Sequence, residues 1–505
     1  MTNTVHDTYA RLRDHVRTTG TLTSIDALLG WDERCLLPSH GGEHRAEQMT
    51  VLAGMIHARQ TDPQLGEWLA ELADSPLAAD PASDTAANIR QLRKQYDKKT
   101  RLPRALVEAL ARAAVRGQQA WEEARKTDNF AHFQPHLEQM ISLKRQQADC
   151  IGFRETRYDA LLDDFEQDAL TSDVARVLEA LREQLVPLVA AIAGSSRRPD
   201  VTILERSYPI EAQQMFGRQA AERIGFDFKS GRLDVTAHPF CSTMGPHDVR
   251  LTTRYDEHYF NGGFFGILHE AGHGLYEQGL RAEEFGLPTG EAISLGIHES
   301  QSRMWENLVG RSEAFWRHHY PLACAAYPDA LADVPLEKFY FAINDVRPSP
   351  IRVEADEATY NLHILVRFEL EQALIDDQLK VADLPGVWNE KYHAALGIKP
   401  PSDADGVLQD IHWSAGLIGY FATYSLGNLY ASQFFEQATA DLGNLDDAFE
   451  HGDYAPLLDW LRKNIHSQGQ RYSATELVRR VTGSALDHEP LMRHLWDKFG
   501  PLYGL

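Results

Sequence analysis

The sequence predicts a mainly α fold: a single helical body carrying one small β element. Three observations lead there. Apolar residues recur at helical spacing in long stretches along most of the chain. Strand-like alternation is concentrated in one region, around 227–256. No internal repeat or low-complexity linker interrupts the pattern. Although 505 residues would suggest several domains, one domain spanning 1–505 accounts for the unbroken pattern better.

In order, amphipathic helices are expected near 43–60, 103–126, 130–150, 171–194 and 208–223, then 262–279, 291–309, 357–379, 419–438 and 488–499. Their apolar positions follow the i, i+3, i+4, i+7 spacing that lines one face of a helix. The Ala/Asp/Pro-rich run 74–87 and GSSRRPD at 194–200 read as surface loops. VRLTTRY at 249–255 alternates like an edge strand, the kind that can take up an extended peptide as a further strand.

Composition sets the outer bounds. A content of 43% hydrophobic and 24% charged residues is ordinary for a globular chain with a large core. No run approaches the roughly 18 apolar residues that span a bilayer. The opening MTNTVHDTYARLRDHVRTTG lacks the apolar core of a signal peptide, so a cytoplasmic location is expected. Cys35, Cys150, Cys241 and Cys324 are widely spaced without a C-x-x-C pair, which suggests four buried thiols rather than disulfides or a cysteine metal site. A net charge of −23 argues against nucleic-acid and anionic-membrane partners and favours basic peptides by long-range steering.

The densest chemistry lies at 269–273, HEAGH. Positions i and i+4 share a helix face, so His269 and His273 can aim both imidazoles at one metal ion while Glu270 stands beside it as a general base for water. With 22 His and 73 Asp plus Glu, a histidine-acid-x-x-histidine string arises by chance about 0.14 times in such a chain. The setting lifts it above chance. Asn261, Gly262 and Gly263 form a turn-and-cap signal, and Phe265, Leu268, Gly272, Leu275 and Tyr276 follow at helical spacing. Gly272 and Gly274 cost helix propensity, which suits a place where another element approaches closely.

A catalytic zinc takes three protein ligands and keeps one position open. No histidine follows within a turn, so a carboxylate on a second helix is expected. The segment GEAISLGIHESQSRMWENLVG has an apolar stripe of Ile293, Ile297, Met304, Trp305 and Leu308, and the ten residues RAEEFGLPTG can turn it back antiparallel to the first helix. Its acids are Glu291, Glu299 and Glu306. Glu299, 26 positions after His273, is favoured because His298 and Gln301 add polar groups beside it.

Six ordered motifs then carry a resemblance: HPF at 238–240, DVRLT at 248–252, HEAGH at 269–273, HESQ at 298–301, IRVEAD at 351–356 and GVLQDIHW at 406–413. Weaker echoes, GWDERCLLP near 30 and YDALLDDFE near 158, extend it over most of the chain. With these motifs the sequence resembles the M32 family of metallocarboxypeptidases, the thermostable carboxypeptidase type. The resemblance implies a long deep groove flanked by two lobes, like that of larger zinc oligopeptidases, a homodimer, and peptide substrates with a free C-terminus. It implies His269, His273 and Glu299 as metal ligands, Glu270 as general base, and Arg250 and Arg352 as receivers of the terminal carboxylate. His238 of HPF follows as a substrate contact, and His412 and Tyr420 as oxyanion donors. Zinc is the expected metal; cobalt and manganese suit the same donors.

The residues read by themselves are compatible with this. A guanidinium reads a carboxylate through two parallel charge-assisted hydrogen bonds. The plainer reading pairs Arg250 and Arg352 with neighbours such as Asp248, Glu354 or Asp356. Two rival functions follow: an endopeptidase or oligopeptidase with the same zinc chemistry, and an inactive peptide- or metal-binding protein. The intact Glu270 speaks against the second.

Overall fold

A computed structural model describes residues 4–505. Helices make up most of it, as expected, and the one sheet has three short strands: β1 (Gly231–Val235), β2 (Cys241–Thr243) and β3 (Val249–Thr253). The sheet order is β1-β3-β2, with β3 parallel to β1 and antiparallel to β2. VRLTT is therefore the central strand and not an edge. Its residues other than Arg250 are buried, and the free edges belong to β1 and β2.

The expected helices are found with shifted ends, among them Gly42–Gln60, Arg104–Lys126, Phe130–Ile151 and Thr171–Gly194. The expectation missed two long ones. Val5–Cys35 opens with a capping box between Thr4 and Asp7 but buries only Thr8, Leu12, Val16, Thr19 and Trp31, too sparse a stripe for periodicity to detect. Asp84–Arg101 begins inside the run expected to be a loop, because the Ser83 hydroxyl accepts from the Ala86 amide and starts a helix there. Cys150 is exposed and the other three cysteines are only half-buried, so the expected set of buried thiols does not hold.

One continuous core joins most helices, with a satellite where Leu12 and Val16 meet Leu65, Leu69, Leu72, Ile89 and Leu92. Within the main core the motif helix, Phe260–Gly279, is anchored by aromatics: Phe264 and Trp316 lie 5.3 Å apart, Phe260 and Phe339 5.5 Å. Gly274 lies against Phe226 and Leu251, which a Cβ would reach at 2.6 and 2.9 Å. Among the described residues no helix is long and apolar enough to cross a membrane.

The segment expected as one helix at 291–309 is two structures. A ligand helix, Leu295–Arg303, starts where Ser294 Oγ accepts from the Ile297 amide, and a π-helical turn, Met304–Val309, follows it. The Gly310 amide closes that turn on the Trp305 carbonyl at 3.0 Å. The ligand helix runs antiparallel to the motif helix. His269 meets Glu306, Gly272 meets Gln301 and Ser302, and His273 and Glu277 meet His298, so sequence rises on one helix as it falls on the other.

Candidate active site

Gly272 permits the approach that makes the site. A Cβ there would stand 2.6 Å from the Gln301 carbonyl oxygen and 2.6 Å from Ser302 Cα, so only glycine lets the two backbones come this close. Gly427, on the helix Ala422–Leu442, serves Glu299 in the same way: a Cβ would meet Glu299 Cγ at 2.5 Å.

These contacts bring His269, His273 and Glu299 together with one donor atom from each within 4.8 Å of the others. Glu299 Oε2 lies 3.9 Å from His269 Nε2 and 3.5 Å from His273 Nε2. Both Nδ1 atoms are engaged elsewhere, leaving the Nε2 atoms to converge. His269 Nδ1 bonds Glu306 Oε2 at 2.9 Å. His273 Nδ1 meets His298 Nδ1 at 2.6 Å, and His298 Nε2 bonds Glu277 Oε1 at 2.7 Å. Since His298 donates from Nε2 to the carboxylate, its Nδ1 accepts and His273 Nδ1 donates, which fixes the His273 tautomer with a free Nε2.

The charges suit a cation. Burial holds the His273 pKa down to about 3, so the ring is neutral and its lone pair available. Burial opposes ionisation of Glu299, but Arg303 and His269 outweigh it and keep the carboxyl well below its ordinary range. Arg303 holds both acids, with Nε on Glu299 Oε1 at 2.8 Å and Nη1 on Glu306 Oε2 at 3.2 Å. Two imidazole nitrogens and a carboxylate oxygen, each oriented by a further partner, fit a divalent metal with a position left open. Of the competing acids, Glu306 orients His269 and Glu291 lines a separate cavity.

Glu270 is buried on the motif helix, and burial pushes its carboxyl up to about 7, with His269 opposing and Glu299 and Glu306 adding to the rise. A carboxylate so poised can exchange a proton near neutral pH.

A second cluster adjoins the donors. Arg303 lies 4.2 Å over the Tyr360 ring, and the Tyr360 hydroxyl accepts from Arg352 Nη1 at 3.0 Å. Arg352 donates to Asp410 Oδ1 from Nε at 3.0 Å and Nη2 at 2.8 Å, while Arg367 Nε donates to Asp410 Oδ2 at 2.7 Å. The partner of Arg352 is thus Asp410 and not Glu354 or Asp356; Asp356 instead accepts from the Ala358 and Thr359 amides. Two guanidinium groups on one carboxylate leave one net positive charge.

His412 lies beside this cluster, with Nε2 3.4 Å from the Tyr424 hydroxyl and Nδ1 3.9 Å from Asp410 Oδ1. Burial lowers its pKa to about 4, so the ring is neutral. The Tyr420 ring lies 5.3 Å from His412, and burial together with the charge of Glu299 pushes its phenol up.

Arg250 and His238 are not gathered here. Arg250 makes two 2.8 Å bonds to Asp248 and sits 4.3 Å over Trp31, as the plainer reading expected. His238 is exposed between β1 and β2 and makes no hydrogen bond with another described residue. Sequence reasoning missed Glu277, Arg303, Tyr360, Arg367 and Asp410. Arg303 was detectable in principle, four residues after Glu299 and three before Glu306, a spacing that puts all three on one face.

The sequence pattern of the family described as Carboxypeptidase Taq (M32) metallopeptidase matches residues 11–499. Thermostable carboxypeptidase 1 of Thermus thermophilus is 48% identical over 506 residues, covering 98% of this chain and 99% of that protein. Carboxypeptidase 1 of Bacillus subtilis is 38% identical, covering 94% and 95%. The crystal structure of the M32 carboxypeptidase from Deinococcus radiodurans R1 superposes with a TM-score of 0.95 at 39% identity, covering 99% of this chain and all of that one. The chain belongs to the M32 family of carboxypeptidases and is a metallocarboxypeptidase, a divalent-metal enzyme acting on peptides.

Proposed function

We propose that the native metal is zinc, held by Nε2 of His269, Nε2 of His273 and a carboxylate oxygen of Glu299, and that the enzyme releases single C-terminal residues with broad specificity. Bound there, the cation supplies Lewis-acid polarisation of the scissile carbonyl and acidifies water. Glu270 takes the proton from the attacking water and passes it to the leaving amine. Arg352 receives the substrate carboxylate on the net positive charge that the Arg352–Asp410–Arg367 group retains. Neutral His412, whose Nδ1 has no hydrogen-bond partner among the described residues, and Tyr420 donate to the carbonyl oxygen as it gains charge. Arg250 and His238 are assigned outer contacts to the substrate, since no bond ties them to the donor cluster.

The observation that carries this reading is the path of contacts from Glu299 through Arg303 and Tyr360 to the Arg352 guanidinium, a group suited to a carboxylate. The chain acts as one catalytic domain of two lobes, works as a homodimer, and resides in the cytoplasm. The deciding experiment follows products from one peptide with a free C-terminus and from its amidated twin, with zinc supplied. Stepwise loss of single residues from the free form alone is expected; internal cleavage of both would establish an endopeptidase instead.

A further inference from the structure

A cavity of about 740 Å³ opens where the motif helix ends, between that helix and the helices Val5–Cys35 and Asp84–Arg101. Its lining includes Glu277, one turn beyond His273 on the same helix face, and none of the three metal-ligating residues. The antiparallel helix pair orders the site along its length. Arg303 and Glu306, leading to Tyr360 and Arg352, lie at the His269 end; His298, Glu277 and the cavity lie at the other. A peptide anchored by its C-terminal carboxylate at Arg352, with its scissile bond at the metal donors, therefore directs its N-terminal part toward the cavity.

Most charges in the lining are already engaged. Glu277 bonds His298, Arg281 bonds Asp84 at 2.7 Å, and Arg59 donates to the His15 carbonyl at 2.8 Å. Glu291 is different. Its carboxylate is accessible and makes no hydrogen bond or ion pair with any described residue. Lys99, also in the lining, lies beyond ion-pair distance and offsets its charge only at longer range. The nearby charge of Glu277 opposes ionisation of the Glu291 carboxyl, and that of Lys99 favours it. The carboxylate is thus free of any close partner among the described residues, and a cation entering the cavity can pair with it.

Resting on the carboxypeptidase reading above, we propose that this cavity is an upstream substrate subsite in which Glu291 pairs with a cation of the peptide. That cation is the α-ammonium of a short peptide or the side chain of a lysine or arginine in a longer one. An extended peptide rises about 3.3 Å per residue, so the cation sits on a residue upstream of the scissile bond. Glu291 is then a specificity-determining residue remote from the reacting atoms, so its effect falls on KM and not on kcat.

The test uses the full-length zinc-loaded enzyme and peptides of equal length sharing their last three residues. One has a free α-amine, one is Nα-acetylated, and one is acetylated with lysine at the upstream position. Acetylation is expected to raise KM about tenfold, the size of one charge-assisted contact. Rescue by lysine identifies the side chain as a sufficient source; no rescue restricts the site to the α-ammonium. In Glu291→Gln the peptides should converge to within about twofold in KM with kcat unchanged. Measurements in 0.5 M salt remove most of the long-range attraction due to net charge. Equal KM values for free and acetylated peptides in the wild type, or discrimination surviving in Glu291→Gln, would overturn the proposal. Failure of the wild type to release a C-terminal residue from any of the peptides would instead overturn the carboxypeptidase reading.

Discussion

At the scale of the residue, the proposed site assigns holding a cation and handling a proton to two differently placed carboxylates. Glu299 is kept ionised by Arg303, whereas Glu270, one residue from His269, has no such guanidinium and is raised to about 7. Glu270→Gln is expected to retain the metal, measured as bound zinc per chain, and to lose about 10²–10⁴-fold in kcat, the usual contribution of a general base. Only ionised Glu270 can accept a proton, so activity should fall as pH drops through its pKa. A bound cation favours the carboxylate and moves that acid limb below about 7, toward the ordinary 4.5. A profile of kcat/KM against pH checks this; activity that rises toward acid would contradict the role. Arg352→Met should raise KM for free peptides at least tenfold and reduce the preference over amidated ones, since Arg367 alone remains to balance Asp410.

At the scale of the element, the close approach of two helices governs the geometry. Gly272→Val would force a side chain into the Gln301–Ser302 backbone, which cannot swing aside as a side chain can. A loss of about 1–3 kcal/mol in stability is expected, together with weakened metal binding, read by denaturant titration and by metal competition. The π-helical turn matters here as well: it begins directly after Arg303 and carries Glu306, the acceptor for His269 Nδ1. Glu166 supports the other end of the ligand helix, accepting from the Gly296 amide at 3.1 Å and from the Tyr430 hydroxyl at 2.9 Å. Its weak echo at 158–166 thus has a structural meaning, holding the start of the helix that carries Glu299.

At the scale of the whole molecule, metal and fold are linked. Three donors from two helices converge only in the folded chain, so zinc at 1,000 times its Kd should stabilise by about 4 kcal/mol. A chelator is expected to lower the Tm of the wild type and to leave that of Glu299→Ala unchanged. The net charge of −23 also acts over the whole surface. Release of C-terminal Arg, Ala and Glu should differ at low salt and draw together at high salt, because exposed charges are screened beyond about 10 Å at 0.1 M; equal salt dependence for all three would count against steering.

The sequence by itself determined the helical class and the spacing that puts His269 and His273 on one helix face, and it favoured Glu299 over Glu291 and Glu306 as a third donor, because helical spacing and residue chemistry are local properties. It also marked the region of the sheet, but it placed β3 at an edge when β3 lies at the centre, since alternation reports a face and not a neighbour. Val5–Cys35 escaped notice because a helix resting on other helices by a thin stripe has little apolar periodicity to show. Tertiary structure alone decided the rest. It paired Arg352 with Asp410, 58 residues away, tied His273 to His298 and Glu277, and left Glu291 in the lining of a cavity with no hydrogen bond or ion pair among the described residues. Such roles depend on which side chains meet across distant segments and on how far each charge is withdrawn from water, and neither is written in the spacing of residues along one helix.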